Sequence, residues 1–261
     1  FERIRRLSEL LGIVLYRKEG RVLSLTAEGV RVAAFARESV ERTSGFLRAL
    51  RGESARETVV LAAGEGAYLY LLGPAISRFR EASRGELTLL TLGGPTAVEA
   101  VLDGRAHVGV GVVDLPPRGL QSWELVKTPL CVAMARGHGL AKRKKVSLAL
   151  LAGERLILPP EGQSHRAFVG RAFASIGAEV RAPIEADGWP LILRFAALGL
   201  GVAVVNGVCE PPEGVVLRAV PELGTVSYRA FVRRGAKLDA AAESLVEAVR
   251  GTAREALGAP L

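Results

Sequence analysis

The first fifty residues carry successive patterns of hydrophobic and polar side chains. Apolar residues between Ile4 and Leu11 recur at spacings of three and four, which predicts a helix that ends at Gly12. Apolar segments at 13–16 and 22–25 then predict two strands around a charged tip. This order predicts the second half of a winged helix-turn-helix. Because the chain begins inside the helical pattern, we expect the first half of that domain to be absent from it.

A second helical pattern follows Thr26, whose side chain we expect to cap the helix. It runs to about Arg51 and repeats small or apolar side chains at spacings of three and four, as in the seam of a coiled coil. We favour a dimerisation helix over a helix that lies on its own domain, because a single seam of this length is marginal. The seam residues are Ala33, Ala36, Val40, Thr43, Leu47 and Leu50. Residues 52–54 are expected to form a hinge.

From Glu57 onward, apolar strand patterns alternate with helical ones, which predicts an α/β domain with a parallel sheet. The predicted strands lie at 58–63, 86–92, 106–113, 130–135, 155–158, 180–184, 202–205 and 226–233. The predicted helices lie at 67–81, 95–102, 148–152, 166–176, 190–198 and 238–257.

The positive charge is concentrated at the beginning of the chain. The 261 residues, enough for two domains, have a net charge of +8, and residues 1–56 hold 12 Lys and Arg against 7 Asp and Glu. A basic segment of this kind suits contacts with DNA phosphates, although a solvated basic helix would have the same composition. The candidate DNA contacts are Arg3, Arg5, Arg6, Arg17, Lys18 and Arg21.

Other classes of protein are disfavoured by what the sequence lacks. It has no apolar run long enough to span a membrane, and no phosphate-binding loop, dinucleotide fingerprint or nucleophile elbow. Its three His and two Cys form no cluster of metal ligands. We therefore expect no enzyme activity, no cofactor and no metal. Cys131 and Cys209 are far apart, each in or near an apolar strand, which favours buried, inert thiols and a cytoplasmic protein.

Ordered motifs along the whole chain resemble those of the LysR-type transcriptional regulators. They include Ile-Arg-Arg-Leu-Ser-Glu-Leu-Leu-Gly at 4–12, Leu-Thr-Ala-Glu-Gly at 25–29, Leu-Asp-Gly-Arg-Ala-His-Val-Gly-Val at 102–110 and Ala-Leu-Gly-Leu-Gly-Val-Ala-Val at 197–204. Asn206 and Gly73 depart from the family by standing where Pro is common.

The resemblance implies a domain organisation. Residues 1–26 would be the remnant of a winged helix-turn-helix, and 27–54 the linker and dimerisation helix. Residues 57–261 would form a bilobal, Rossmann-like effector domain of the type 2 periplasmic-binding-protein fold. Lobe I would comprise about 57–112 and 207–261, and lobe II about 113–206, with crossings near Val113 and Asn206.

Loops at the carboxyl ends of strands are the candidate effector site, because ligands of open α/β sheets bind there. The resemblance places these loops around the cleft between the lobes. The candidate residues are Gly64, Glu65, Gly66, Gly94, Thr96, Gln163, Ser164, His165 and Asn206. For the glycines, ordinary turn chemistry is the alternative, and for His165 it is a polar surface position. Glu65 could repel a carboxylate or receive a cationic group. The basic run at 142–145 is interpreted as a solvated loop.

The function that follows is that of a regulator whose operator binding is modulated by a small-molecule effector in the cleft. The expected partners are double-stranded operator DNA, the effector and further copies of the chain, as a homodimer or homotetramer, with no membrane. One alternative is a stand-alone solute-binding or enzyme domain of the same bilobal fold. A redox-sensing or effector-independent regulator is the other.

Overall fold

A computed structural model describes residues 2–19, 22–50 and 57–256. The helices are α1 (Glu2–Leu11), α2 (Ala27–Leu50), α3 (Glu65–Tyr70), α4 (Gly73–Ala82), α5 (Gly94–Leu102), α6 (Leu148–Leu151), α7 (Ser164–Ser175), α8 (Trp189–Ala197) and α9 (Ala240–Ala256). The strands are β1 (Tyr16–Glu19), β2 (Val22–Leu25), β3 (Thr58–Ala63), β4 (Glu86–Thr91), β5 (Val108–Val112), β6 (Leu120–Ala135), β7 (Leu156–Leu158), β8 (Ile184–Glu185), β9 (Val202–Asn206), β10 (Val215–Ala219) and β11 (Thr225–Arg233).

The N-terminal elements follow the predicted order of helix, hairpin and long helix. Gly12 ends α1 with a φ of 64°, in the left-handed region that glycine adopts without strain. Strands β1 and β2 pair antiparallel. Thr26 caps α2, since its Oγ1 accepts a hydrogen bond from the Gly29 N–H at 3.0 Å and donates one to the Val14 carbonyl.

The predicted seam of α2 is largely solvent-accessible in the single chain. Val40 and Leu47 are 65% and 46% exposed, whereas Gly29 and Ala34, which are buried among the described residues of this helix, lie outside the seam. The helix therefore contacts its own effector domain through a different face from the predicted seam. The side chain of Leu50 and the predicted hinge at 52–54 lie outside the described residues.

The large sheet is mixed, and the prediction of a parallel sheet was wrong for its centre. Its strand order is β4-β3-β5-β11-β6-β9-β7-β8, with β10 also on β6. Strands β3, β4 and β5 are parallel to one another, as are β7, β8 and β9, but β11 and β6 are antiparallel to their neighbours. The central pairings join strands that are far apart in the sequence, β5 with β11 and β6 with β9 and β11, so the local alternation of strand and helix patterns does not fix their direction.

The pairing along β6 determines where the two parallel groups meet. The first part of β6 pairs with β11 as far as Pro129, and its last part pairs with β9 and β10. Because β5 runs with β6 and β9 runs against it, the carboxyl ends of β3–β5 and of β7–β9 approach each other near the middle of β6. The chain changes strand partners at Pro129 and Leu130, and again between Ala219 and Thr225, rather than near Val113 and Asn206 as expected.

Other elements also differ from the prediction. The helix expected at 67–81 is divided into α3 and α4, because Pro74 cannot continue a helix and instead lies in the first turn of α4. The strand expected at 180–184 is reduced to Ile184 and Glu185, and β10 was not predicted. Strand β6 begins ten residues before the predicted start, in a polar stretch whose alternation was too weak to recognise.

We expect Gly109→Ala to destabilise the protein by about 1–3 kcal/mol, the usual cost of overpacking a core. Gly109 lies in β5, and an added Cβ would overlap the fully buried ring of Phe231 on β11. Urea unfolding measures the change. The control is Gly170→Ala in α7, where a Cβ meets nothing within 4 Å and replacing a helical glycine should stabilise by up to about 1 kcal/mol. Equal effects of the two changes would contradict the packing argument.

Candidate functional site

A cavity of about 710 Å³ lies where the carboxyl ends of the two strand groups approach each other. One wall is built by the loops after β3 and β4 and the end of β5, and the other by the loops after β7 and β8 and the end of β9. The structure brings all nine candidate residues to this cavity. They are Gly64, Glu65, Gly66, Gly94, Thr96, Gln163, Ser164, His165 and Asn206. The antiparallel centre of the sheet thus joins loops that are far apart in sequence.

A carboxylate from one wall caps a helix of the other. Oε2 of Glu65 accepts a hydrogen bond of 2.8 Å from the Trp189 backbone N–H, the first residue of α8. A carboxylate is favourable here, because the N-terminus of a helix carries unpaired N–H groups and a partial positive charge. Gly188 precedes the helix with a φ of 89°, and a Cβ there would lie 3.1 Å from Oε1 of Glu65. Glycine therefore permits the close approach.

Aromatic side chains that the sequence analysis missed border the same space. An added Cβ on Gly66 would lie 2.7 Å from the indole nitrogen of Trp189 and 3.3 Å from the Tyr228 hydroxyl. The Trp189 ring also packs edge-on against the His165 ring, with centroids 4.9 Å apart. Trp189 reaches the cavity because it is the first residue of α8, directly after Asp187 and Gly188 in the cavity wall. No sequence pattern indicated Tyr228, because it lies within β11 and comes to the cavity only when β11 pairs with β5 and β6 in the sheet.

His165 is held neutral by its surroundings. Its ring Nε2 lies 2.8 Å from the Val204 carbonyl oxygen. Burial lowers the pKa of His165 to about 4, and the interactions with that carbonyl and with the nearby Asn206 side chain oppose the lowering. The neutral ring donates from Nε2 and leaves Nδ1 as an acceptor. The alternative of a polar surface histidine is therefore wrong, and so is a protonated histidine at neutral pH.

Asn206 contributes an amide at the end of β9 that is only 4% exposed. Its Nδ2 donates to the Tyr228 hydroxyl oxygen at 2.8 Å, whereas Oδ1 has no hydrogen-bond partner among the described residues. Burial raises the pKa of Tyr228, so the phenol stays protonated and keeps its own hydrogen to donate. A buried amide oxygen without a partner is costly, which makes it a natural acceptor for a ligand.

The charge of the cavity wall is negative. Among the described residues that line it, Glu65 and Asp187 carry carboxylates and there is no Lys or Arg. Asp187 accepts a hydrogen bond from Gln163 Nε2 at 3.0 Å. The pKa of the neighbouring Tyr70 is raised to about 12, mainly by burial and in smaller part by the Glu65 charge.

The two thiols are buried, as predicted, and unreactive. Burial raises the pKa of Cys209 to about 12 and raises that of Cys131 as well. A thiolate is the reactive form of cysteine, so neither group is activated for redox chemistry at neutral pH. This disfavours the redox-sensing alternative.

The candidate DNA contacts differ in their exposure and in their ion pairs. Arg3 and Arg6 on α1, and Arg17 and Lys18 on β1, are exposed. Arg5 is instead paired within its helix, with Glu2 at 2.8 Å and Glu9 at 3.8 Å. Arg21 lies outside the described residues. The basic run at 142–145 is exposed on the other half of the large sheet, in agreement with a solvated loop.

Across 2–19, 22–50 and 57–256, no group of three or more His, Cys, Asp and Glu residues could hold a metal ion. No helix in the same parts of the chain combines the length and apolar character needed to cross a membrane.

The two strand groups with a cavity between them define a bilobal α/β binding domain, and comparisons with known proteins identify its family. A family model described as the LysR substrate binding domain matches residues 52–254. The HTH-type transcriptional regulator CysB of Burkholderia cenocepacia is 27% identical over 259 residues, which cover 94% of this chain and 82% of that protein. The uncharacterized HTH-type transcriptional regulator YbhD of Escherichia coli is 26% identical over 212 residues, 80% of this chain and 67% of that protein.

Solved structures share the fold. Full-length BenM has a TM-score of 0.66 and 22% identity, and the match covers 97% of this chain and 86% of that one. The effector binding domain of BenM with its effector benzoate has a TM-score of 0.66 and 23% identity, over 79% of this chain and 97% of that one. The family model covers most of the chain, which therefore belongs to the LysR substrate binding domain family and is a LysR-type transcriptional regulator. The relatives CysB and YbhD are transcriptional regulators rather than enzymes.

We expect acid to destabilise this protein partly through His165. Its pKa is about 4 in the folded chain and about 6.5 when unfolded, so the unfolded state binds more protons between these values. The free energy of unfolding should therefore fall as the pH drops from about 6.5 to 4, by up to roughly 3 kcal/mol at 1.36 kcal/mol per pKa unit. Urea unfolding at several pH values should show a shallower fall for His165→Gln. Identical slopes would contradict the assignment.

Proposed function

We propose that a small molecule in the cavity between the two strand groups controls how this regulator binds its operator. The observation that carries the proposal is the convergence of loops from both strand groups on one cavity, where the buried Oδ1 of Asn206 has no partner among the described residues. Two fold relatives support a small molecule as the occupant. BenM's effector binding domain was solved with benzoate and that of QuiR with shikimate. The QuiR domain has a TM-score of 0.66 and 10% identity, over 77% of this chain and 99% of that one.

The DNA side of the proposal rests on α1 and the β1–β2 hairpin. The family implies DNA binding, and we propose that the exposed side chains of Arg3, Arg6, Arg17 and Lys18 contact phosphates. Such contacts position a protein on the duplex without reading its sequence. Further copies of the chain would pair through the α2 seam, whose Val40 and Leu47 are exposed in the single chain.

Helix α5 offers a physical connection between the two functions. It begins at Gly94 in the cavity wall and spans nine residues, or about 13 Å. At its other end the Asp103 carbonyl accepts a hydrogen bond from the Arg37 guanidinium of α2. The backbone of Ala34, also on α2, lies against Gly104. A ligand that binds one placement of α5 better would therefore favour one placement of α2, which is a shift of population.

Charge reversal at Arg3, Arg6 or Lys18 should weaken operator binding. The slope of log K against log salt concentration is negative, and each lost phosphate contact should reduce its magnitude by about 0.9, because fewer counterions are released. Fluorescence anisotropy measures this with the complete natural protein and an operator selected from genomic DNA.

The matched control is Lys144→Glu, which makes the same charge change on the exposed loop of the effector domain. It should leave both the affinity and the slope nearly unchanged. If the reversals on α1 and β1 behave like this control, those side chains are only solvated charge.

A thermal-shift screen against amino acids, amines, organic acids and nucleotides tests the effector. A ligand at a hundred times its dissociation constant should stabilise the protein by about 2.7 kcal/mol. Ser164→Ala or Thr96→Ala should reduce the shift, because both residues line the cavity. Arg37→Ala should keep the shift and lose the effect of the ligand on operator binding. If the cavity variants keep the full shift, the ligand binds elsewhere.

A further inference from the structure

The cavity differs from an anion site in the sign of its charged groups. Its described lining has two carboxylates, those of Glu65 and Asp187, and no Lys or Arg to balance them. His165 adds no positive charge, because the ring is neutral above a pKa of about 4. Any anion that enters therefore meets like charges with no cationic side chain from the described lining to pair with, which is unfavourable in a partly desolvated cleft.

Helix N-termini are the feature that would favour an anion. Four helices begin at the cavity, but α3 has only six residues and starts with Glu65 itself, and two of the three longer helices offer fewer free N–H groups. The N-terminus of α8 is already capped by Glu65. That of α5 includes Pro95, which has no N–H to offer. The N-terminus of α7 remains, but its cap residue Gln163 is hydrogen-bonded to Asp187. A helix end carries only about half a unit charge, so one such end does not outweigh two carboxylates.

The buried side-chain atom at the cavity that lacks a partner is an acceptor. Oδ1 of Asn206 is buried at the cavity, and no described residue donates a hydrogen bond to it. Glu65 uses Oε2 to cap α8, and a carboxylate has further acceptor capacity on Oε1. Both residues line the cavity, and the Trp189 residue that Glu65 contacts lies beside Gly66, as does the Tyr228 hydroxyl that Asn206 contacts. The ring of Trp189 borders the same space and adds an aromatic surface.

We propose that the effector carries a cationic N–H donor, a protonated amine, amidine or guanidine, that Glu65 and Asn206 bind beside the aromatic ring of Trp189. Such a group supplies the hydrogens that the two acceptors need, its charge offsets that of Glu65, and an aromatic neighbour favours a cation further. The assignment rests on the proposed function, because it names the ligand class of the same cleft.

Tryptophan positions allow a site-specific test. The chain has two tryptophans, Trp189 in the cavity wall and Trp123 in β6. The Trp123 ring packs under the Arg250 guanidinium and does not line the cavity. Labelling with 5-fluorotryptophan therefore gives one fluorine NMR signal that reports on the cleft and one that serves as an internal reference.

The probes are benzylammonium, benzamidinium, benzyl alcohol and benzoate, which share a ring and differ in the charged or polar group. Both cations should move the Trp189 signal, at concentrations at least about tenfold lower than benzoate needs, and leave the Trp123 signal in place. Glu65→Gln should weaken the binding of the cations by about tenfold, the usual size of a hydrogen bond to a charged group, with little effect on the alcohol. Glutamine keeps an acceptor for the Trp189 N–H, so α8 stays capped.

The matched control is Glu86→Gln, at the opposite end of β4 from the cavity. It removes the same charge and should leave the binding of all four probes unchanged. Tighter binding of benzoate than of the cations would overturn the proposal and leave the cleft a ligand site. Unchanged cation binding in Glu65→Gln would also overturn it. If no probe moves the Trp189 signal, the proposal is also overturned. The proposed function is then tested separately, by the thermal-shift screen.

Discussion

The antiparallel pairing of β6 with β11 is the constraint on which the rest of the effector domain depends. Residues 120–129 of β6 pair with 225–233 of β11, and only beyond Pro129 does β6 turn to β9 and β10. This offset along one strand, together with the reversed direction of β9, makes the carboxyl ends of both parallel groups face each other. A continuous parallel sheet of the same strands would place all the loops along one edge, and no enclosed cleft would result.

Inside the cleft, the chain uses one of its own carboxylates where a ligand's carboxylate would otherwise fit. The contact between Glu65 and the first N–H of α8 connects the two walls and removes the strongest local attraction for an anion. The neutral His165 adds no positive charge, and the buried oxygen of Asn206 is an acceptor without a partner among the described residues. Resemblance to a family supplies a fold and a role, whereas the charge of the effector depends on individual side chains in the loops.

The proposed communication between ligand binding and DNA binding would pass through α5, without a long chain of contacts. One rigid helix has its beginning in the cavity wall and its end against α2. A packed interface of this kind has few alternative arrangements, so a small displacement at one end changes the contact at the other. The buried thiols, by contrast, lack the exposure and the thiolate character that redox control needs, because burial raises the pKa of each.

Sequence patterns by themselves determined the order of most elements, the capping of α2 by Thr26, the loops that line the cavity and the family. These features depend on residues within a few positions of one another, or on ordered motifs. Tertiary structure alone decided the antiparallel centre of the sheet, the presence of Trp189 and Tyr228 in the cavity, the neutral state of His165 and the pairing of Glu65. Glu65 and Trp189 are 124 residues apart and His165 and Val204 are 39 apart. Local periodicity carries no information about partners at such separations, because they meet only when the sheet has formed.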